Sequence, residues 1–213
     1  MKNIIAALVT TTTFGLVATV NFTQPVRAAT LTYNLGGGNA TDSLFTYNSD
    51  SSSNRVLTVT GGEAGTSRDI RRRSDGLGVV GVGNPSLPGQ IDGRSVDGEM
   101  SFESLRLDFN KKVRIESATF SRLQNNDGFR LFVDRRSSPL VRETNNINSL
   151  YDFSSLSENG RTGTEFRFTV AEENDDYRLQ SITVVPVPEA TPIVSLLGFG
   201  LVGLLSYRKF GKC

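Results

Sequence analysis

The sequence predicts an all-β protein: an antiparallel β-sandwich, jelly-roll-like, followed by a C-terminal hydrophobic helix. Three observations predict it. Between residues 30 and 185, short apolar runs alternate one by one with polar residues, the period of a half-buried strand. Gly, Ser, Asn and Asp recur between those runs, and with 21 glycines the chain is rich in turn formers. No stretch in that interval holds a 3.6-residue period over three helical turns, and no run is continuously apolar as a parallel strand covered by helices would be.

The elements follow in order. Leu31-Thr32-Tyr33-Asn34-Leu35 begins a strand that Gly36-Gly37-Gly38 ends. Leu44 to Tyr47 and Arg55 to Thr60 are the next strands, with Asp50 to Asn54 as a polar turn between them. Gly61 to Asp75 is rich in Gly, Ser and Arg and has little to bury, so it reads as a long surface loop. Leu105, Leu107 and Phe109 alternate with Arg106 and Asp108, and Asn110-Lys111 reads as a turn. Val113 and Ile115 alternate next, and a slip to Ala118 and Phe120 predicts a bulge. Asn125-Asn126-Asp127-Gly128 is a turn signal, and Phe129, Leu131 and Val133 close a three-stranded meander. Phe166, Phe168 and Val170, an acidic turn at Glu172 to Asp176, and Tyr177 through Val184 form a last hairpin. The first and last strands are expected to pair.

The two ends are of another kind. Lys2, the largely apolar Ile4 to Val20 and Val26-Arg27-Ala28 have the order of a secretory signal peptide cleaved after Ala28. Near the other end, Val184-Val185-Pro186-Val187-Pro188-Glu189-Ala190-Thr191-Pro192 is proline-punctuated. Ile193 to Tyr207 carries no charge, and Arg208, Lys209 and Lys212 follow. Fifteen helical residues rise only about 22 Å, so this segment is a marginal transmembrane helix with a basic cytoplasmic tail. The predicted organisation is a signal peptide at 1–28, a β-sandwich domain at 29–185, a linker with a sorting motif at 186–192, the hydrophobic segment at 193–207 and the tail at 208–213.

Composition narrows the function. Five of the 23 basic residues lie in the two ends, while all 22 acidic residues fall between Asp42 and Glu189, so the middle is mildly acidic. That balance gives no reason to expect a nucleic-acid partner. Cys213 is the only cysteine, so no intrachain disulfide forms. Histidine is absent, which removes His-based triads and His metal sites.

The order of proline, glutamate, Leu/Gly-rich span and basic end in Pro188-Glu189, Leu197 to Leu204 and Tyr207-Arg208-Lys209 resembles the PEP-CTERM sorting signal of exported proteins in Gram-negative bacteria, cyanobacteria included. The resemblance implies recognition by an exosortase, a membrane protease-transpeptidase, with the sorting motif at Pro188, Glu189 and Ala190. Ala190 stands where the family usually has a second proline. Proteins of this kind are linked to exopolysaccharide and biofilm matrix. Residues 76 to 134 also resemble a segment common among them, through Gly76-Leu77-Gly78-Val79, Gln90-Ile91-Asp92-Gly93, Glu99, Leu105 to Phe109 and Val113-Arg114-Ile115. That likeness supports the sandwich and carries no chemistry.

Several constellations are candidate sites. Asp92, Asp97 and Glu99 bracket a Gly-containing loop with carboxylates of the kind calcium takes, though without the looped Asp-x-Asp-x-Asp-Gly pattern. Asn126, Asp127 and Asp134 are a second calcium candidate, with turn formation as their simpler role. No other cofactor is implied. Arg68, Arg71, Arg72 and Arg73 form the one basic cluster, suited to a polyanion or to solvent. Glu99, Glu103 and Asp108 are the carboxylates a glycosidase would need, but Glu103 and Asp108 have opposite strand parity. The expected function is a non-catalytic cell-surface or extracellular-matrix protein. It would be released by signal peptidase, sorted from an inner-membrane-held precursor to the periplasm, outer surface or matrix, and associated with exopolysaccharide. The alternative is a lectin-like carbohydrate-binding module, for which two of Tyr33, Tyr47, Tyr151 and Tyr177 must share one exposed face.

Overall fold

The computed structural model describes residues 29–49, 54–63, 65–80, 89–96, 99–144 and 148–188, with the backbone alone described for 92–96 and 99–101. Among them are fourteen strands and no helix. They are β1 (Leu31–Asn34), β2 (Ala40–Asp42), β3 (Leu44–Asn48), β4 (Val56–Glu63), β5 (Thr66–Arg68), β6 (Ile70–Arg73) and β7 (Gly76–Val79). After them come β8 (Ile91–Val96), β9 (Glu99–Ser121), β10 (Phe129–Val133), β11 (Val141–Glu143), β12 (Leu150–Asp152), β13 (Thr162–Val170) and β14 (Asp176–Pro186). Every pairing is antiparallel, and the pairings join all fourteen into one large sheet.

β9 is the axis. Leu105, Leu107, Phe109, Val113 and Ile115 are all buried and all odd-numbered, so one inward face runs unbroken through Asn110-Lys111. The expected turn there is therefore overturned: the period of two survives it, and 99–121 is a single strand. Asn110 instead braces the start of β4, accepting from Val56 N at 3.0 Å and donating to the Asn54 carbonyl at 3.2 Å. Asn110→Ala is expected to lower the urea midpoint by an amount worth about 1 kcal/mol, since two exposed hydrogen bonds are lost.

The first half of β9 lies between β4 and β13, with Leu107 opposite both Val59 and Phe166. Its second half lies between β14 and β12, with Ala118 opposite Ile182 and Tyr151. The predicted bulge is present: Ile115 pairs Val184 and Ser117 pairs Thr183, which leaves Glu116 as the extra residue. Aromatic rings join the two halves. Phe109 meets Tyr33 of β1 and Phe166 of β13 edge to face, at 5.6 and 5.9 Å. Phe120 packs on Phe129, Phe168 and Tyr177 at 4.9, 6.0 and 5.3 Å. Each such pair adds about 1 kcal/mol beyond its buried area.

Other expectations are corrected by the pairings. β10 pairs with β11 and β13, not with β9, so the 125–128 turn carries the chain across the fold and no meander forms. β13 and β14 are not hydrogen-bonded to each other, so the last hairpin is absent; β14 pairs with β1, β7, β8 and β9. Residues 61–75 are not a loop. The end of β4, β5 and β6 occupy them, because Ile70 and the stems of the arginines bury against neighbours where composition alone shows only polarity. The close approach of β7 to the 89–90 segment needs glycine: a Cβ on Gly78 would stand 2.0 Å from the Gly89 carbonyl oxygen.

The expected pairing of first and last strands is observed, with Leu31 opposite Val184. The sheet continues through Pro186, past the expected start of the linker, and Pro186 closes the strand opposite Val113. The expected transmembrane helix is not found in the fold: the described residues hold no helix, and so none long and apolar enough to cross a membrane, because their apolar runs have the two-residue period of strands. Residues 193–207 themselves lie outside the described residues, as do the signal peptide at 1–28, Glu189, Ala190, Arg208, Lys209 and Lys212.

Candidate functional site

An open groove of about 830 Å³ runs over the outer face where β4, β9, β13 and β10 lie side by side. Registration across those strands builds it in rows. Thr60, Arg106, Arg167 and Phe132 are successive cross-strand neighbours. A second row is Thr58, Asp108 and Glu165. A third row, which lines the groove only at Gly62 and Ser104 and continues beside it, is Gly62, Ser104, Thr169, Arg130 and Arg142, the last on β11. Apart from the apolar Phe132 and the glycine, these are polar residues on alternating strands whose other positions, such as Leu105, Leu107, Phe166 and Phe168, fill the core.

The electrostatics are uneven. Arg106 is neutralised within the face, 2.9 Å from Asp108 and 3.0 Å from Glu165. Glu165 also takes Arg135 at 3.1 Å. Arg68, at the groove's edge, holds Glu63 at 3.0 Å. Arg167 is exposed and lies over the Phe132 ring at 4.3 Å, and it makes no ion pair among the described residues. Arg130 lies over Phe102 at 5.1 Å and donates to the Ala171 carbonyl. Burial, with the like charge of Arg142 opposite, lowers the Arg130 pKa. Two arginine pairs thus stand directly opposite each other on neighbouring strands, Arg106 with Arg167 and Arg130 with Arg142, an arrangement that destabilises a sheet.

The sequence-predicted residues fall as follows. The basic cluster is dispersed. Arg68 reaches the groove, Arg72 lies over Phe45 at 4.7 Å and donates to the Gly38 carbonyl at 3.4 Å, and Arg71 and Arg73 take the other side of β6. In the β8–β9 hairpin Glu99 is opposite Val96 and Gly93 opposite Phe102, so Asp92 and Glu99 are four residues apart along the ladder, about 13 Å. Asp97 lies outside the described residues. Asp127 and Asp134 flank opposite ends of the five-residue β10 and are not brought together. Among the described residues no group of three or more acidic side chains is placed to hold a metal ion.

Asp127 and Asp134 are instead backbone staples. Asp127 is buried and accepts from Gln124 N and, at 3.1 Å, from Asp176 N. Asp134 accepts from Thr164 N at 2.8 Å and Glu165 N at 3.1 Å, holding a turn in which it and Arg135 have positive φ. Glu103 is buried on the inward face and Asp108 lies in the groove, so their opposite parity holds. The tyrosines do not share a face. Tyr33 and Tyr177 are buried, while Tyr47 and Tyr151 are half-buried with hydroxyls on the Leu35 carbonyl and Glu143.

Arg106, Arg130, Arg142 and Arg167 escaped sequence reading. Each sits at a polar position of a legible strand, but only the register shows that they align. Comparison with protein-family models, characterised proteins and solved structures found no match.

Proposed function

We propose that this chain is an exported, non-catalytic component of the cell surface or extracellular matrix, cut from its C-terminal sorting signal near Pro188-Glu189. One observation supports the reading best: the β1–β14 pairing brings the point of entry and the point of exit to one rim. Leu31 is opposite Val184, so Ala29 and Pro188 leave the sheet at the same end, and both are exposed. The exit is held up to its last buried contact. Val187 N donates to the Lys112 carbonyl at 3.2 Å, and the largely buried Arg55 donates to the carbonyls of Lys112 and Val187 at 3.0 and 3.2 Å. Pro188 is thus the first residue free of the fold, directly before the bond an exosortase-like enzyme would attack. Signal peptidase would act two residues before β1. In this reading the two halves of the sheet face each other as a jelly-roll-like sandwich, with Phe120 against Phe129 and Phe168 as the interlayer contact.

The intact mass of the protein taken from its native envelope tests the reading. Loss of residues 1–28 and of everything beyond about Glu189 is expected. A mass that retains residues 193–213 would defeat the processing claim.

A further inference from the structure

We propose that the outer face of β4, β9, β13, β10 and β11 binds a carboxylate-bearing polysaccharide, with Arg142 and Arg167 as its recognising cations. The proposal names a ligand for the matrix reading above and rests on it. Three features point to this chemistry. The first is the registration of arginines across the strands: Arg142 stands opposite Arg130, and Arg167 opposite an Arg106 whose charge Asp108 and Glu165 already take up, so Arg142 and Arg167, which make no ion pair among the described residues, are the cations left for an incoming anion. The second is the form of the free cation. The Arg167 guanidinium carbon lies 4.3 Å from the centre of the Phe132 ring and the residue is exposed, which leaves a planar fork of the kind that matches a carboxylate in reach of solvent. The third is what surrounds it. Thr60 and Ser104 offer hydroxyls, and Gly62 leaves the floor low where a sugar ring needs room.

The acidic row beside the arginines sets the class. Asp108 and Glu165 take up part of the arginines' charge, so the few positive charges left match a chain with a single carboxylate per sugar better than a densely sulfated one, whose further anionic groups would face those two carboxylates. With the tyrosines buried or tied, recognition rests on charge and hydrogen bonding rather than on ring stacking.

The test is calorimetric titration of the full chain, in mild detergent, with polygalacturonate, dextran and dextran sulfate. Polygalacturonate is expected to bind, more weakly as salt rises, and dextran not to bind. Arg142→Gln with Arg167→Gln should weaken polygalacturonate at least tenfold without lowering the melting temperature, because it also removes two opposed charges. Lys112→Gln with Arg122→Gln, an equal charge change outside the groove, should leave binding within twofold. Absence of polygalacturonate binding, equal loss in both variants, or tighter binding of dextran sulfate would each overturn the proposal. Binding is read on purified chain and processing on the native envelope, so failure of one is distinguishable from failure of the other.

Discussion

Replacing Asp75 with alanine is expected to destabilise the protein by about 3 kcal/mol, among the largest effects of any single polar substitution in the fold. Asp75 sits in the tight turn between β6 and β7, where Gly76 has a φ of +130°. Its Oδ1 pairs with Arg178 of β14, and its Oδ2 pairs with Arg122 at 2.7 Å. Arg178 is fully buried, and its Nε donates to the Gly89 carbonyl at 2.9 Å. One carboxylate therefore neutralises a guanidinium inside the core and ties the 70–90 excursion to the last strand. Removing it leaves the buried charge without that counterion, and this desolvated cation is the source of the loss. Arg122 is half-exposed, so Arg122→Ala should cost under about 1 kcal/mol. Combining Asp75→Ala with Arg178→Met should recover part of the deficit, since charge and counter-charge then leave together. Urea unfolding of the three variants measures this, and an Asp75→Ala midpoint matching that of Arg122→Ala would refute it.

How much of this was legible follows from where the information resides. The inward faces were readable because burial repeats every two residues: Leu105, Leu107 and Phe109, and Phe166 and Phe168, are core. The bulge at Glu116 was readable for the same reason, since an extra residue shifts parity visibly. Asn110-Lys111 has the residue types of a turn, yet the two-residue parity runs straight through it and a single strand forms. Residues 61–75 misled because arginine is polar in composition yet buries its stem, and Arg178 is wholly inside. Strand partners were beyond reach. Nothing in Phe129 to Val133 says that its neighbours are β11 and β13 rather than β9, and so nothing places Arg167 beside Arg106 or Arg142 beside Arg130. A groove made by register across four strands is invisible to any reading confined to one strand at a time.

The acidic turn before β14 gives the protein an unusual response to pH. Asp175 is buried, and its Oδ2 accepts from Ala171 N at 3.1 Å and Glu172 N at 2.6 Å. Its Oδ1 has no hydrogen-bond partner among the described residues. Burial, opposed by its bonds to the Glu172 and Ala171 amides and reinforced by the Asp127 and Glu172 charges, pushes its pKa up to about 6. Asp127, beside it, is raised by burial as well. A carboxyl that holds its proton more tightly folded than unfolded stabilises the fold where it is protonated, so its contribution declines as pH rises through the folded value. From pH 7 to pH 5 the unfolding free energy should therefore increase, by roughly 1.4 kcal/mol from Asp175 alone. Asp75 acts in the opposite sense over a lower window. Burial raises its pKa, but the bonds to Arg122 and Arg178 outweigh that and hold it below the usual range, so its stabilisation fades only as pH falls below about 4. Stability should pass through a maximum between the two. Asp175→Asn should flatten the rise from pH 7 to 5, because the asparagine oxygen can accept the same two amide bonds and no charge is left to bury. Its pH 7 stability should approach or exceed that of the wild type. Chemical unfolding at half-unit pH steps decides the matter: a wild-type profile that falls steadily from pH 7 to 5, or an Asp175→Asn profile that keeps the full rise, would show that the buried carboxyl is not the group responsible.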